Sequence, residues 1–226
     1  LFFGILLVSL GYGWLTLTGS VVRGVAHTAP FSPWSFGYYL SQALPLICLG
    51  ELFFLAFFFS KEERLLRPLT QATPIRQRRY AALRCGAVLT ATLVLCLCVA
   101  VLAVGFYVSL FGWVDYGELI LPALLTLIPP IVFCLGAGMM LSRFNHTMIY
   151  ALMAAVILLT VLPLPPAINF SSSSFFSQFP LTVEKLDPAF HVPGWLAVSK
   201  IALAFLGSTF TISSINMQDY KLDKSK

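Results

Sequence analysis

Residues 85–111 read CGAVLTATLVLCLCVAVLAVGFYVSLF, without one charged side chain. A membrane-spanning helix needs ~20 consecutive apolar residues, and this run exceeds that length. The rest of the chain resembles it. Of 226 residues, 58% are hydrophobic and 10% charged, with a mean hydropathy of +0.88. An ordinary soluble domain carries about 25% charged residues, so this chain has too little polar surface to face water. It reads as one polytopic, all-α integral membrane domain over residues 1–226.

Working outward from that run, six spans are expected: 1–18, 36–60, 82–111, 119–141, 147–163 and 195–216, the fifth being short. The chain starts at Leu1 inside an apolar stretch, with no basic segment and no small-residue cleavage site. Span one therefore reads as a membrane helix rather than a signal peptide, and further sequence is expected ahead of it. Basic residues set the orientation. The segment between spans two and three holds Lys61, Arg64, Arg67, Arg76, Arg78, Arg79 and Arg84. The turn after span four holds Arg143, and the tail holds Lys221, Lys224 and Lys226. Six spans place these eleven of the 14 basic residues on one side, which should be cytoplasmic, with both termini inside. Trp14, Trp34, Trp113 and Trp195 fall at the expected outer ends, where indole rings favour the interface. The net charge of +5 follows from this topology and does not point to nucleic acid.

The outer segment, 164–194, mixes Phe170, Phe175, Phe176, Phe179 and Phe190 with Ser and Pro. That is too apolar for a free linker, so short elements buried against the protein are expected there. Asn169-Phe170-Ser171 matches a glycosylation acceptor, a pattern common by chance.

Chemistry-bearing groups are few. No phosphate-binding loop, dinucleotide fingerprint, HExxH or CxxC occurs, so no catalytic residue, cofactor or metal site is expected. Cys48, Cys85, Cys96, Cys98 and Cys134 all fall in or beside spans and read as packed free thiols. Cys96 and Cys98 would point about 200° apart on a helix, which argues against a metal pair there. His27, His146 and His191 have no second ligand at helical spacing and read as interfacial or surface residues.

Glu51 lies ~13 Å from the inner end of span two, near the midplane. A charge at that depth faces protein or a water-filled cavity. It is either a substrate or proton contact or a structural residue at a helix–helix interface. Pro129-Pro130 breaks the hydrogen bonding of span four, as a gate or as a static kink. Together Glu51, Pro129 and Pro130 mark a candidate translocation path. Gly136, Ala137 and Gly138 offer a small-residue face for close packing. Lys200, just inside span six, is expected to snorkel to the outer interface.

The inner loop, 61–81, is more than a connector. Leu65, Leu66 and Leu69 form an apolar strip when wound as a helix, with Glu62, Glu63, Arg64 and Arg67 around it. Ala72-Thr73-Pro74-Ile75 interrupts it, and Arg76, Arg78, Arg79 and Tyr80 lead into span three. Anchoring to anionic lipid accounts for the charges, but not for a helix followed by a proline break.

This order of acidic start, leucine pair, Thr-Pro, basic residues and aromatic resembles type-2 ABC transporter permeases. Leu186-Asp187-Pro188-Ala189-Phe190 resembles an Asp-Pro stretch frequent in that family's outer segment. The resemblance covers the topology of the whole chain and, at residue level, about twenty positions. It implies six spans and a coupling helix that docks on a separate ATP-binding cassette subunit. The coupling residues it implies are Glu62, Glu63, Arg64, Leu65, Leu66, Leu69, Thr73, Pro74, Arg76 and Arg79. It also implies a second permease copy or a homologous permease, a plasma (inner) membrane location, and an amphipathic exported cargo. The family's amphipathic segment before span one is not in the sequence. The rival readings are a partner-binding or immunity-type membrane protein, a secondary transporter fragment, and a membrane-embedded enzyme, for which only Glu51 qualifies at membrane depth.

Overall fold

The computed structural model describes residues 2–58, 77–113, 115–145, 147–162, 165, 169–183 and 187–223. Among them it is all-helical, with no strand. The helices are α1 (Phe2–Gly19), α2 (Pro33–Phe58), α3 (Gln77–Phe111), α4 (Gly117–Phe144), α5 (Thr147–Val161), α6 (Ser173–Gln178) and α7 (Gly194–Asp223). Short 3-10 turns cover Val21–Arg23 and Phe179–Thr182.

Five segments are long and apolar enough to cross a membrane: Phe2–Arg23, Pro33–Phe57, Arg79–Phe111, Gly117–Phe144 and Gly194–Asn216. They match the expected spans one, two, three, four and six to within a few residues. The fifth expected span falls on α5, whose 15 residues reach about 22 Å against a hydrocarbon core of ~30 Å. Apolar side chains point outward along α1 and α7, among them Phe3, Leu7, Leu15, Ile201, Phe205 and Ile212. Such faces suit lipid and would be untenable in water.

Two helices organise the bundle. Helix α2 packs against α1, α3, α4, α5 and α6, and α4 packs against α2, α3, α5 and α7. Small residues permit this closeness. Gly138 lets α4 approach α2, where an added Cβ would meet Leu55 at 2.7 Å, and Gly136 lies against the backbone of α7 at Gly207. The expected small-residue face therefore serves two different neighbours within one chain. Tyr39 ties three helices together: its hydroxyl donates to the Val99 carbonyl of α3 at 3.0 Å and lies against Gly13 of α1.

Pro129 and Pro130 are buried inside α4, which continues through them. Pro45 also lies inside its helix, α2, where it is half-buried.

Among the described residues of the segment between α5 and α7, Phe170, Phe175 and Phe176 are buried against the bundle, as the aromatic content led us to expect. Trp34 of α2 meets Phe175, Phe176, Phe179 and Phe190, with ring centroids 4.9–6.4 Å apart. Its indole N–H donates to the Pro188 carbonyl at 2.8 Å. Asp187 and Pro188 thus dock beside the start of α2, and the Asp187 carboxylate also accepts from the Ala29 N–H at 3.3 Å. The serine run before α6 folds around Asn169. The Asn169 side-chain carbonyl accepts from the Ser171 N–H and hydroxyl, while its amide donates to Ser174 Oγ at 2.7 Å. That amide is enclosed and engaged, so the acceptor pattern at Asn169 is explained by local folding.

Lys200 departs from expectation. It does not snorkel to the interface: it is 4% exposed, and its ammonium donates to the carbonyls of Phe170 at 2.9 Å and Asn169 at 3.3 Å. The outer segment folds over the end of the amine and supplies the acceptors that water would have supplied.

Candidate functional site

Helix geometry places residues i and i+3 on one face, so Cys48 and Glu51 of α2 share a face. That face is the one turned toward α4. There Cys134, one turn beyond Pro130, completes a cluster in which the two thiol sulfurs and a Glu51 carboxylate oxygen all lie within 4.8 Å of one another. All three residues are 0% exposed. Both carboxylate oxygens of Glu51 are buried without a hydrogen-bond partner.

An orphaned carboxyl group in a low-dielectric interior is costly. Nothing described near Glu51 compensates it by hydrogen bonding, so the cluster is a point of unmet polar demand within a tightly packed helix pair. On α3, Cys96 is buried and Cys98 is half-buried on another face, as their spacing requires.

By donor type, Cys48, Glu51 and Cys134 are the described residues able to hold a metal. Two sulfurs and one carboxylate oxygen form a mixed soft and hard donor set. The expectation that all five cysteines are packed free thiols describes their packing. It missed the meeting of α2 and α4 at Glu51. The i, i+3 spacing of Cys48 and Glu51 was the available signal. Cys134 is 83 positions further along the chain than Glu51, and only the α2–α4 packing brings it in.

The remaining expected site residues divide in two. Glu51, Pro129 and Pro130 are all buried, and α2 and α4 pack closely around them. Of the loop residues, Glu62, Glu63, Arg64, Leu65, Leu66, Leu69, Thr73, Pro74 and Arg76 lie outside the described residues. Arg79 is exposed near the start of α3. Next to it, the Arg84 guanidinium lies over the Tyr80 ring, 4.1 Å from its centroid, and donates to the Tyr80 hydroxyl. His27 and His191 are exposed, and His146 lies outside the described residues.

No family model, curated protein or solved structure matches this chain.

Proposed function

We propose that this chain is the membrane-spanning permease subunit of an ATP-binding cassette transporter in the plasma (inner) membrane. It has six spans with both termini inside, and it moves an amphipathic cargo outward. The observation that carries this reading is the pattern across Glu62, Glu63, Leu65, Leu66, Thr73, Pro74, Arg76 and Arg79, set between two long apolar helices. The short helix and 3-10 turn described between α5 and α7 are consistent with it.

The mechanism is mechanical. A separate ATPase subunit grips the loop between α2 and α3 and closes on ATP. Because α2 packs on α1, α3, α4, α5 and α6, displacement of its inner end shifts most of the bundle as packed bodies. Two permease copies, or this chain and a homologous permease, then exchange inward and outward packings.

Co-purification in detergent with a candidate ATP-binding cassette ATPase subunit tests the reading. The intact chain should retain the ATPase, and the double change Leu65→Asp, Leu66→Asp should release it while the bundle stays monodisperse. An intact chain that binds no ATPase removes the proposal.

A further inference from the structure

We propose that Cys48, Glu51 and Cys134 form a structural metal site at mid-membrane, holding one thiophilic divalent cation of the zinc type and pinning α2 to α4. The proposal is independent of the permease reading, because it concerns how the bundle is held together rather than what it transports.

Three observations converge. The first is geometry. A tetrahedral zinc with Zn–S bonds of about 2.3 Å sets its ligand atoms roughly 3.8 Å apart or less. The three donor atoms already lie within 4.8 Å, so rotamer adjustments close the site without moving a helix. The second is the carboxylate of Glu51, fully buried with neither oxygen engaged; a cation supplies the partner it lacks. The third is position. Cys48 and Glu51 sit in the middle of α2, Cys134 in the middle of α4, and these are the two helices on which the bundle is organised.

The donor set selects the metal class. Two sulfurs disfavour magnesium and calcium, which take oxygen ligands, and a carboxylate is a poor ligand for a soft monovalent cation. Charge points the same way. On binding, each thiol and the buried Glu51 carboxyl release a proton to solvent, so two thiolates and one carboxylate face the ion. A divalent ion leaves a single net negative charge at this depth, whereas a monovalent ion leaves two.

The test uses the full chain in detergent, purified under reducing conditions on a tag that contains no histidine. Zinc content after gel filtration should be about one equivalent per chain, the stoichiometry of a single site. Cadmium, used as an optical probe, should give the ultraviolet thiolate-to-metal charge-transfer band. Both signals should vanish in Cys48→Ser and in Cys134→Ser and persist in Cys98→Ser. Glu51→Gln should weaken cadmium binding at least tenfold. If the cysteine variants fail to fold, the wild-type chain alone still decides: zinc should raise its thermal midpoint by several degrees, and a chelator should reverse the shift. The proposal is overturned if the wild type neither retains zinc nor shifts. It is equally overturned if the serine variants bind as well as wild type, if Glu51→Gln binds with unchanged affinity, or if the isolated chain carries a Cys48–Cys134 disulfide.

Discussion

Gly136 and Gly207 face one another across the α4–α7 crossing so closely that a methyl group on either would overlap the backbone of the opposite helix. A Cβ on Gly136 would strike the Gly207 carbonyl, and one on Gly207 would strike the backbone of Val132 and Phe133. Backbone cannot rotate away as a side chain can. Gly136→Ala and Gly207→Ala should each destabilise the bundle by about 1–3 kcal/mol, the usual range for overpacking. Gly86, exposed within α3 with nothing near its Cβ position, provides the contrast. Gly86→Ala should be neutral or stabilise by roughly 0.5–1 kcal/mol through helix propensity. Thermal unfolding of the three variants in one detergent checks the ordering, and a Gly136→Ala protein as stable as wild type would refute the close crossing.

The buried ammonium of Lys200 reaches from α7 to two main-chain carbonyls of the outer segment. Lys200→Met keeps the length of the side chain and removes the donor. Two enclosed carbonyls then lose a charge-assisted partner, at about 1–3 kcal/mol for a buried group left unsatisfied. The loss should fall on the outer segment first. In proteoliposomes, a protease added outside should cut between α5 and α7 faster in Lys200→Met than in wild type. Equal cutting rates would show that the segment is held by its aromatic contacts alone.

Those contacts centre on Trp34. Its indole sits among four phenylalanine rings and donates to Pro188. Trp34→Ala removes both contributions and should cost about 3–5 kcal/mol. Trp34→Phe keeps ring packing but leaves the Pro188 carbonyl without its donor, and should cost about 0.5–1.5 kcal/mol, the net worth of one hydrogen bond. Chemical or thermal unfolding of both variants separates the two terms. A Phe variant as damaged as the Ala variant would place the stabilisation in the hydrogen bond rather than in the ring cluster.

These three sites differ in how far the sequence announced them. The apolar runs are long, and Trp marks several of their ends, so α1, α2, α3, α4 and α7 were legible from hydropathy to within a few residues. Gly136 and Gly138 announced close packing because small residues have few other reasons to cluster in a span. Which helix each would face was not legible, because that depends on the rotation of α4. Lys200 was misread for a related reason. Snorkelling assumes that the nearest polar acceptor is water, and the acceptors here are carbonyls of a segment thirty positions earlier. The cluster at Glu51 was half legible, since Cys48 and Glu51 share a face by spacing, whereas Cys134 arrives only through tertiary packing.

The expected orientation rests on α5, the shortest of the long apolar helices. If α5 crosses, Asn145 and Val183 lie on opposite sides of the membrane. If it does not, they lie on the same side. Both positions are exposed, and no native cysteine lies in either connecting segment. Single cysteines introduced as Asn145→Cys and Val183→Cys can therefore be read against a quiet background. In intact cells an impermeant thiol reagent should label Val183→Cys directly and Asn145→Cys only after permeabilisation. The basic residues favour this outcome, because Arg143 belongs with Arg79 and Arg84 on the cytoplasmic side. A helix of about 22 Å would then span by drawing the bilayer thinner around it or by leaning on its packing with α2 and α4. Labelling of both positions alike, either both from outside or both only after permeabilisation, would place α5 on the membrane surface and reduce the count to five spans. The two termini would then lie on opposite sides, and the basic segments would no longer share one face.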